Sequence, residues 1–298
     1  MIAKPPGRTL VPGYECTTLA ARGGTAAVYR AVRTEDSSTV ALKVFDIGTD
    51  EAYRRQLLAE RRLHGVHDIH GVLPILDATT LEDGRRCIVM PYAEGGSLQD
   101  HVDRVGPLPA EQVVSFGAQL AHTVACAHHL GVIHCDITPS NLLVTDPDTA
   151  VLAGFGSASF VDVRGSSEPP EASWPFAAPE VLDGAAAGPR SDVYSLGLSL
   201  LTLALGGNPF AGSATQGLRP LVESICTRGV PRSAFDGLPA GLATALRRAV
   251  ALRPDQRFEM AADLADQLDA LATDPDVVPH GASRRRKGKR AWLRPARP

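Results

Sequence analysis

Lysine is almost absent from this chain. Of its 298 residues only four are lysine, at positions 4, 43, 287 and 289, and the other basic residues between Pro5 and Arg286 are arginine. Arginine cannot replace the compact ammonium group of lysine where a tight site requires it. Lys43 is therefore a candidate functional residue even before its sequence context is considered.

Cysteine pairs, aromatic residues and long apolar runs are also scarce. The five cysteines show no C-x-x-C or zinc-binding spacing, which indicates a reducing compartment. The N-terminus has no apolar segment of the kind found in secretory signals. The longest apolar run, Leu196–Leu205, is too short to cross a bilayer and predicts a buried helix. We expect a cytoplasmic, globular protein whose core is mainly Ala, Val and Leu.

Acidic residues are missing from the C-terminal end. From Val277 onward there are eight basic residues and no acid, so the rest of the chain carries a formal charge of −11 against −3 overall. We predict a disordered basic tail over 274–298. Its segment Arg284–Pro298 could attach peripherally to an anionic membrane surface at ~1 kcal/mol per basic residue, or remain solvated. The acidic body argues against nucleic acid as a partner.

The apolar pattern changes from strand-like to helical near residue 97. Turn residues separate short strands, and one helix, Glu51 to about His64, interrupts them. Predicted strands are Tyr14–Leu19, Ala27–Val32, Thr39–Phe45, Val72–Ala78 and Cys87–Met90; predicted helices are Ala110–Leu130, Ser191–Gly206, Leu238–Ala249 and Met260–Ala272. The pattern predicts an α+β fold with a linker near Pro91–Gly96.

Six short strings occur in a fixed order along the chain. The first is Val40-Ala41-Leu42-Lys43, in which strand alternation directs Ala41 and Lys43 to the same side. The others are His134-Cys135-Asp136-Ile137-Thr138-Pro139-Ser140-Asn141, Ala153-Gly154-Phe155-Gly156, Ala178-Pro179-Glu180, Ser191-Asp192 and Arg253 to Phe258. None is decisive alone, but their order and spacing together are specific.

In this order the strings resemble the eukaryotic-type serine/threonine protein kinases. The resemblance is closest to the bacterial branch of that family, on the strings Pro12-Gly13-Tyr14, Arg22-Gly23-Gly24 and Met90 to Leu98. The resemblance implies a two-lobed fold over residues 10–273, with an N-lobe (10–91), a hinge (91–96), a C-lobe (97–273) and an N-terminal extension (1–9). It also implies nucleotide binding with ATP as the ligand. The nucleotide-binding residues would be Gly23, Gly24, Val28, Ala41, Lys43, Glu60, Met90, Tyr92 and Ala93.

The resemblance also assigns roles around the catalytic loop. Lys43 would bind the α and β phosphates and pair with Glu60, Asp136 would accept the substrate hydroxyl proton, and Asn141 would bind Mg²⁺. Structural roles would fall to four residues. These are His134, Asp192 as the holder of the catalytic-loop backbone, and Glu180 with Arg257 as an ion pair.

Several positions depart from the family pattern. Ala21 and Ala26 replace two of the three loop glycines that let backbone approach phosphate closely. Cys135 replaces the arginine that pairs with a phosphorylated activation loop, which in this chain would carry phosphate on Ser166, Ser167 or Ser173. Thr138 replaces a phosphate-contacting lysine, and Gly154 replaces the aspartate that holds Mg²⁺.

These departures predict a pseudokinase. Removing one electrostatic donor typically costs ~3 kcal/mol, or about a hundredfold in rate, so two losses could remove roughly four orders of magnitude. We expect a regulator or scaffold that binds a protein partner and holds ATP, with a doubtful Mg²⁺ or Mn²⁺ site. The alternative is a slow serine/threonine kinase that transfers the γ-phosphate, with a nearby acid such as Asp146, Asp148 or Asp162 compensating for Gly154.

Overall fold

Five strands form an antiparallel sheet in the first part of the chain. The computed structural model describes residues 11–64, 71–161 and 171–277. The sheet has the order β1-β2-β3-β5-β4. Its strands are β1 (Tyr14–Arg22), β2 (Ala26–Arg33), β3 (Thr39–Phe45), β4 (Asp77–Thr80) and β5 (Arg86–Pro91).

Strand alternation divides the sheet into two apolar faces. The register pairs Val28 with Lys43 and Ala41 with Met90, and paired residues point to the same side. The outer face contains Tyr29, Leu42 and Val89 in one core cluster. The other face contains Ala41 and Met90 in a second cluster that also contains Val151. The sheet therefore turns the residues of the Lys43 motif towards the second half of the chain.

Helix α1 (Asp50–His64) packs against this inner face. Asp50 and Glu51 lie in its first turn, where negative charge interacts favourably with the helix dipole. Gln56, Ala59 and Leu63 are buried, and their spacing of three and four residues places them on one side. The helix extends one residue further at its start than the predicted Glu51–His64.

The second part of the chain is helical and contains the largest core. Its four main helices each contribute a fully buried leucine, namely Leu120, Leu200, Leu246 and Leu268. The bounds are α2 (Leu98–Val105), α3 (Ala110–His129), α4 (Pro179–Leu182), α5 (Pro189–Leu205), α6 (Ala211–Ala214), α7 (Leu218–Glu223), α8 (Ala240–Ala249) and α9 (Ala261–Leu271). Within the described ranges, no helix is long and apolar enough to cross a membrane.

Two short antiparallel strand pairs flank the loops of this second part. Strands β7 (Leu142–Asp146) and β8 (Thr149–Leu152) pair with each other, as do β6 (Val132–Ile133) and β9 (Ser159–Phe160). The segment between β6 and β7 contains residues 134–141, and residues 153–158 lie between β8 and β9. Both predicted catalytic segments are thereby held between short, buried strands.

Two predicted boundaries need correction. The predicted strand Val72–Ala78 is wrong in its first half, since β4 begins at Asp77. Val72 and Leu73 instead pair with Leu152 of β8, and Pro74, which has no N–H, ends that pairing. The folded part also extends past 273, because Val277 is 3% exposed and belongs to the large core. The predicted extension 1–9 and the tail residues 278–298 lie outside the described residues.

Candidate functional site

Lys43 pairs with Gln56 and not with Glu60. The Lys43 Nζ donates to Gln56 Oε1 at 2.6 Å, from β3 to the buried face of α1. Glu60 Oε1 accepts the backbone N–H of Ile75 at 2.6 Å instead. The predicted Lys43–Glu60 pair is therefore wrong. The position that faces the lysine carries a neutral amide, so a further charged group of the family pattern is replaced in this chain.

The charge of Lys43 is poorly compensated. Burial lowers the pKa of Lys43 to about 8, and the negative charge of Asp136 acts in the opposite direction. The ammonium group also lies 5.1 Å from the centre of the Phe45 ring, which attracts cations through its face. A desolvated cation with a neutral partner is well suited to receive an anion from a ligand.

Apolar residues from both parts of the chain meet beside Lys43. Ala41 and Met90 are buried there, and the partly buried Val28 and Tyr92 pack against the same cluster. Sequence reasoning missed Leu143, Val151 and Ala153, which join this cluster from β7, β8 and the segment after β8, respectively. A flat apolar slot between two lobes suits an aromatic base. Ala93 is buried next to it, and its carbonyl accepts the Gly96 N–H at 3.0 Å.

The β1–β2 turn stands where the phosphate loop is predicted. Gly23 and Gly24 form this turn, closed by a bond from the Gly23 N–H to the Ala26 carbonyl at 2.9 Å. Ala26 is 3% exposed, and its side chain is part of the cluster that includes Ala41 and Phe45. The extra methyl group therefore occupies space on the cleft side of the sheet, where the family pattern has glycine.

Asp192 of α5 fixes the backbone of the loop 134–141. Its carboxylate accepts the N–H groups of His134 and Cys135 at 2.8 and 3.0 Å and contacts the ring of His128 at 2.8 Å. Cys135 has φ of 65°, a left-handed conformation that costs a non-glycine residue of order 1–3 kcal/mol. The buried carboxylate offsets this strain. The role expected of Asp192 is thus visible in its contacts.

Asp136 is buried within this loop. Burial raises its pKa, while a side-chain hydrogen bond from Ser173 and the nearby His134 act in the opposite direction. Its Oδ1 atom has no hydrogen-bond partner among the described residues, although it is buried. Asn141 Nδ2 donates to Asp136 Oδ2 at 3.1 Å and to its carbonyl at 2.8 Å. The approach of Ser173 is a contact that sequence reasoning missed.

His134 contacts both Asp136 and Phe155, and its Nδ1 atom accepts the Asp136 N–H at 3.2 Å. The ring centres of His134 and Phe155 are 4.5 Å apart, and His134 Nε2 lies 3.0 Å from the carbonyl oxygen of Ala153. Burial lowers the pKa of His134, which favours the neutral ring. This ring contact and the hydrogen bond to Ala153 connect the loop 134–141 to residues 153–157. The two segments therefore have a fixed relative position.

Gly154 faces Asn141 at the point where the family pattern places a metal-binding carboxylate. Its φ of 89° lies in the left-handed region, which glycine adopts without steric cost. A Cβ atom on Gly154 would lie 2.5 Å from Asn141 Oδ1 and 2.6 Å from its Cγ. The amide of Asn141 therefore fills the space that a side chain at this position would need.

The residues present do not fit a divalent cation. Mg²⁺ in phosphate sites is usually held by one or two carboxylates together with the phosphates. Here Asn141 directs its amide oxygen at Gly154 and its Nδ2 donor at the Asp136 carboxylate, so the carboxylate and the amide oxygen do not face a common point. Among the described residues, no group of three or more His, Cys, Asp or Glu side chains is placed to bind a metal. Asp146 ends β7, roughly 16 Å along the strand from Asn141. Asp148 follows in the turn, and Asp162 lies outside the described residues.

Glu180 and Arg257 form the predicted ion pair. The guanidinium group donates to both carboxylate oxygens at 2.8 and 2.7 Å. The Arg257 side chain is fully buried and also donates to three backbone carbonyls, those of Ala251, Arg190 and Leu252. Thr138, by contrast, is buried and presents no charge. The hydrogen bonds and the ion pair that stabilise the fold are thus present, whereas the positions that would contact phosphate have lost charged residues.

Comparison with known proteins agrees with this fold. A sequence model of the protein kinase domain matches residues 14–238. The serine/threonine-protein kinase PknK of Mycobacterium tuberculosis is 34% identical over 265 residues, which cover 88% of this chain and 24% of that protein. The serine/threonine-protein kinase PknH of the same species is 30% identical over 291 residues, covering 96% of this chain and 46% of PknH.

A clostridial protein is similar as well. The probable serine/threonine-protein kinase CPE1738 of Clostridium perfringens is 29% identical over 284 residues, covering 91% of this chain and 40% of that protein. The chain thus spans less than half the length of these three relatives.

Proposed function

Because the chain belongs to the protein kinase family, we propose that it is a pseudokinase that holds a nucleotide and acts by binding a protein partner. Phosphate transfer in this family depends on positioning and on neutralising the charge of the γ-phosphate. The observation that carries the proposal is Gly154, whose missing side-chain position is filled by the Asn141 amide. Gln56 and Thr138 add two more neutral residues at charged positions of the family pattern.

ATP is the proposed ligand. Support comes from Lys43, which has a neutral partner and faces the cleft, and from the apolar cluster around Ala41 and Met90. These residues would hold the phosphates and the base, respectively. Asp136 keeps a buried carboxylate next to Ser173. A carboxylate cannot neutralise the negative charge of the reacting phosphate, and the carboxylate that would hold a metal ion for this purpose is missing.

The alternative is a slow serine/threonine kinase. It is favoured by Asp136 and Asn141, which keep their positions in the loop that Asp192 holds. It is also favoured by the similarity to PknK and PknH, which are serine/threonine-protein kinases. In this case the chain would transfer the γ-phosphate of ATP to protein hydroxyls at a low rate.

Phosphate transfer separates the two proposals. Purified wild type and an Asp136→Ala variant would be incubated with γ-labelled ATP, a protein substrate and either Mg²⁺ or Mn²⁺. We expect equal, background incorporation from the two proteins, because roughly four orders of magnitude of transition-state stabilisation are missing. Incorporation by wild type that disappears in Asp136→Ala would establish the slow kinase.

The basic segment Arg284–Pro298 supports a separate, weaker proposal about location. Eight basic residues follow Val277 without an acid. Such a segment is attracted to anionic lipid, so peripheral contact with a membrane surface is proposed alongside the protein partner. Nucleic acid is disfavoured because the rest of the chain is acidic.

A further inference from the structure

We infer that the cleft binds its nucleoside triphosphate as a metal-free anion, held by the Lys43 ammonium group next to the neutral Gln56. This inference rests on the proposed function, since it specifies the form of the ligand at the same site. It differs from that function in what it requires: tight binding in the absence of any divalent cation.

Lys43 has a neutral partner on helix α1. In the family pattern a glutamate neutralises this lysine, but the buried group within 2.6 Å of its Nζ is the Gln56 amide. The Nε2 atom of the same amide donates to Met90 Sδ at 3.9 Å, so both ends of the amide have a partner. Glu60 is bonded to the Ile75 N–H. Among the described contacts of Lys43 Nζ, helix α1 therefore supplies the neutral Gln56 amide.

The balance of charge also favours an anionic ligand. Relative to the family pattern, no carboxylate contacts the Lys43 ammonium group, position 154 has lost a carboxylate and position 138 has lost a cation. The phosphate end of the cleft is thus more positive by one unit charge without any metal. Among the described residues, Asp136 is the carboxylate whose charge acts on Lys43. Such a cleft interacts more favourably with a free polyphosphate than the family pattern would.

A metal ion on the polyphosphate would weaken binding at this site. A divalent cation removes two negative charges from the polyphosphate and so weakens its attraction to Lys43. It would gain little in return, because Asn141 Oδ1 is directed at Gly154, which offers no ligand. The complex with Mg²⁺ loses attraction without acquiring a protein carboxylate. We therefore expect Mg²⁺ to leave affinity unchanged or to reduce it.

Calorimetric titration with ATP tests this inference. Wild type is expected to bind ATP in excess EDTA at least as tightly as in saturating Mg²⁺. Gln56→Glu restores a competing carboxylate of nearly the same shape, and an opposite charge at such a distance changes an ionic equilibrium by about tenfold or more. We expect the Kd in EDTA to rise by at least ~tenfold in Gln56→Glu, and binding to disappear in Lys43→Met.

The matched control is Gln267→Glu, the same change on the exposed side of α9, which should leave the Kd unchanged. The inference is overturned by binding that requires Mg²⁺, by the absence of binding in both buffers, or by equal effects of the two glutamate substitutions. None of these outcomes measures phosphate transfer. Binding that requires Mg²⁺ would leave the proposed loss of transfer standing, whereas transfer abolished by Asp136→Ala would overturn that function alone.

Discussion

A variant with Gln56→Glu, Thr138→Lys and Gly154→Asp is expected to transfer phosphate at least ~100-fold faster than wild type in the presence of Mg²⁺ and ATP. Each substitution returns a charged group of the family pattern to the phosphate end of the cleft. One such group is typically worth ~3 kcal/mol in the transition state, although groups that act together are not additive. Initial rates with γ-labelled ATP measure the gain.

The structure sets one obstacle to this variant. A side chain at position 154 requires the Asn141 amide to move, because the Cβ would lie 2.5 Å from Asn141 Oδ1. The φ of 89° at position 154 is also strained for most residues. After glycine, asparagine and aspartate are among the residues that adopt the left-handed region most readily. The side chain of Asn141 is short and can rotate once its bond to Asp136 is released.

The control replaces aspartate by alanine at the same position. The variant with Gln56→Glu, Thr138→Lys and Gly154→Ala has the same Cβ and no less backbone strain than the aspartate form, but no carboxylate. We expect it to remain near the wild-type rate. If the aspartate and alanine forms were equally active, the missing carboxylate at position 154 would not be the cause of low transfer.

Arg257→Met is expected to lower the free energy of unfolding by about 3–5 kcal/mol. The guanidinium group is fully buried, holds both oxygens of Glu180 and donates to three backbone carbonyls. It also lies 4.8 Å from the centre of the Tyr194 ring. Methionine replaces the aliphatic part of the side chain but leaves these acceptors without donors. Denaturant titration followed by circular dichroism measures the loss.

Arg253→Met is the matched comparison, because its partner Asp255 is equally close but solvent-exposed. The two atoms are 2.6 Å apart, with side-chain exposures of 69% and 56%. Exposed pairs contribute about 0–1 kcal/mol, so this variant should unfold at nearly the wild-type denaturant concentration. An equal loss in both variants would mean that the buried network around Glu180 does not carry the stability assigned to it.

The lobes and the supporting network were accessible from sequence because their signals are local. Strand alternation around Ala41 and Lys43 and the strings containing Glu180, Asp192 and Arg257 each predict a contact that the structure contains. These residues sit in regular elements or next to them. Their neighbours in space follow from periodicity and from the order of the strings.

The partner of Lys43 was not accessible in the same way. Gln56 and Glu60 are four residues apart, so both lie on the same side of α1, one turn from each other. Which of them contacts the lysine depends on the position of α1 along its own axis relative to β3. A sequence pattern predicts which face of a helix is buried but not this axial position. The family pattern predicts the acidic residue as the partner, whereas the structure has the Gln56 amide there.

Two features of the site depend on backbone geometry that no residue pattern encodes. The overlap of Asn141 with the side-chain position of Gly154 follows from φ of 89° at the glycine and from the bonds of Asn141 to Asp136. The contact of Ser173 with Asp136 follows from the course of the turn Glu171–Phe176. Both contacts join segments that are distant in sequence and lack periodic structure.

The central claim is that the cleft lacks an anchor for a divalent cation, and a crystal structure with ATP and Mn²⁺ tests it most directly. Anomalous scattering locates manganese independently of the nucleotide. We predict electron density for the nucleotide between Ala41 and Leu143, a phosphate contact from Lys43, and no anomalous peak coordinated by Asn141 or Asp136. An anomalous peak at full occupancy between the β and γ phosphates, with a protein carboxylate as ligand, would contradict the account.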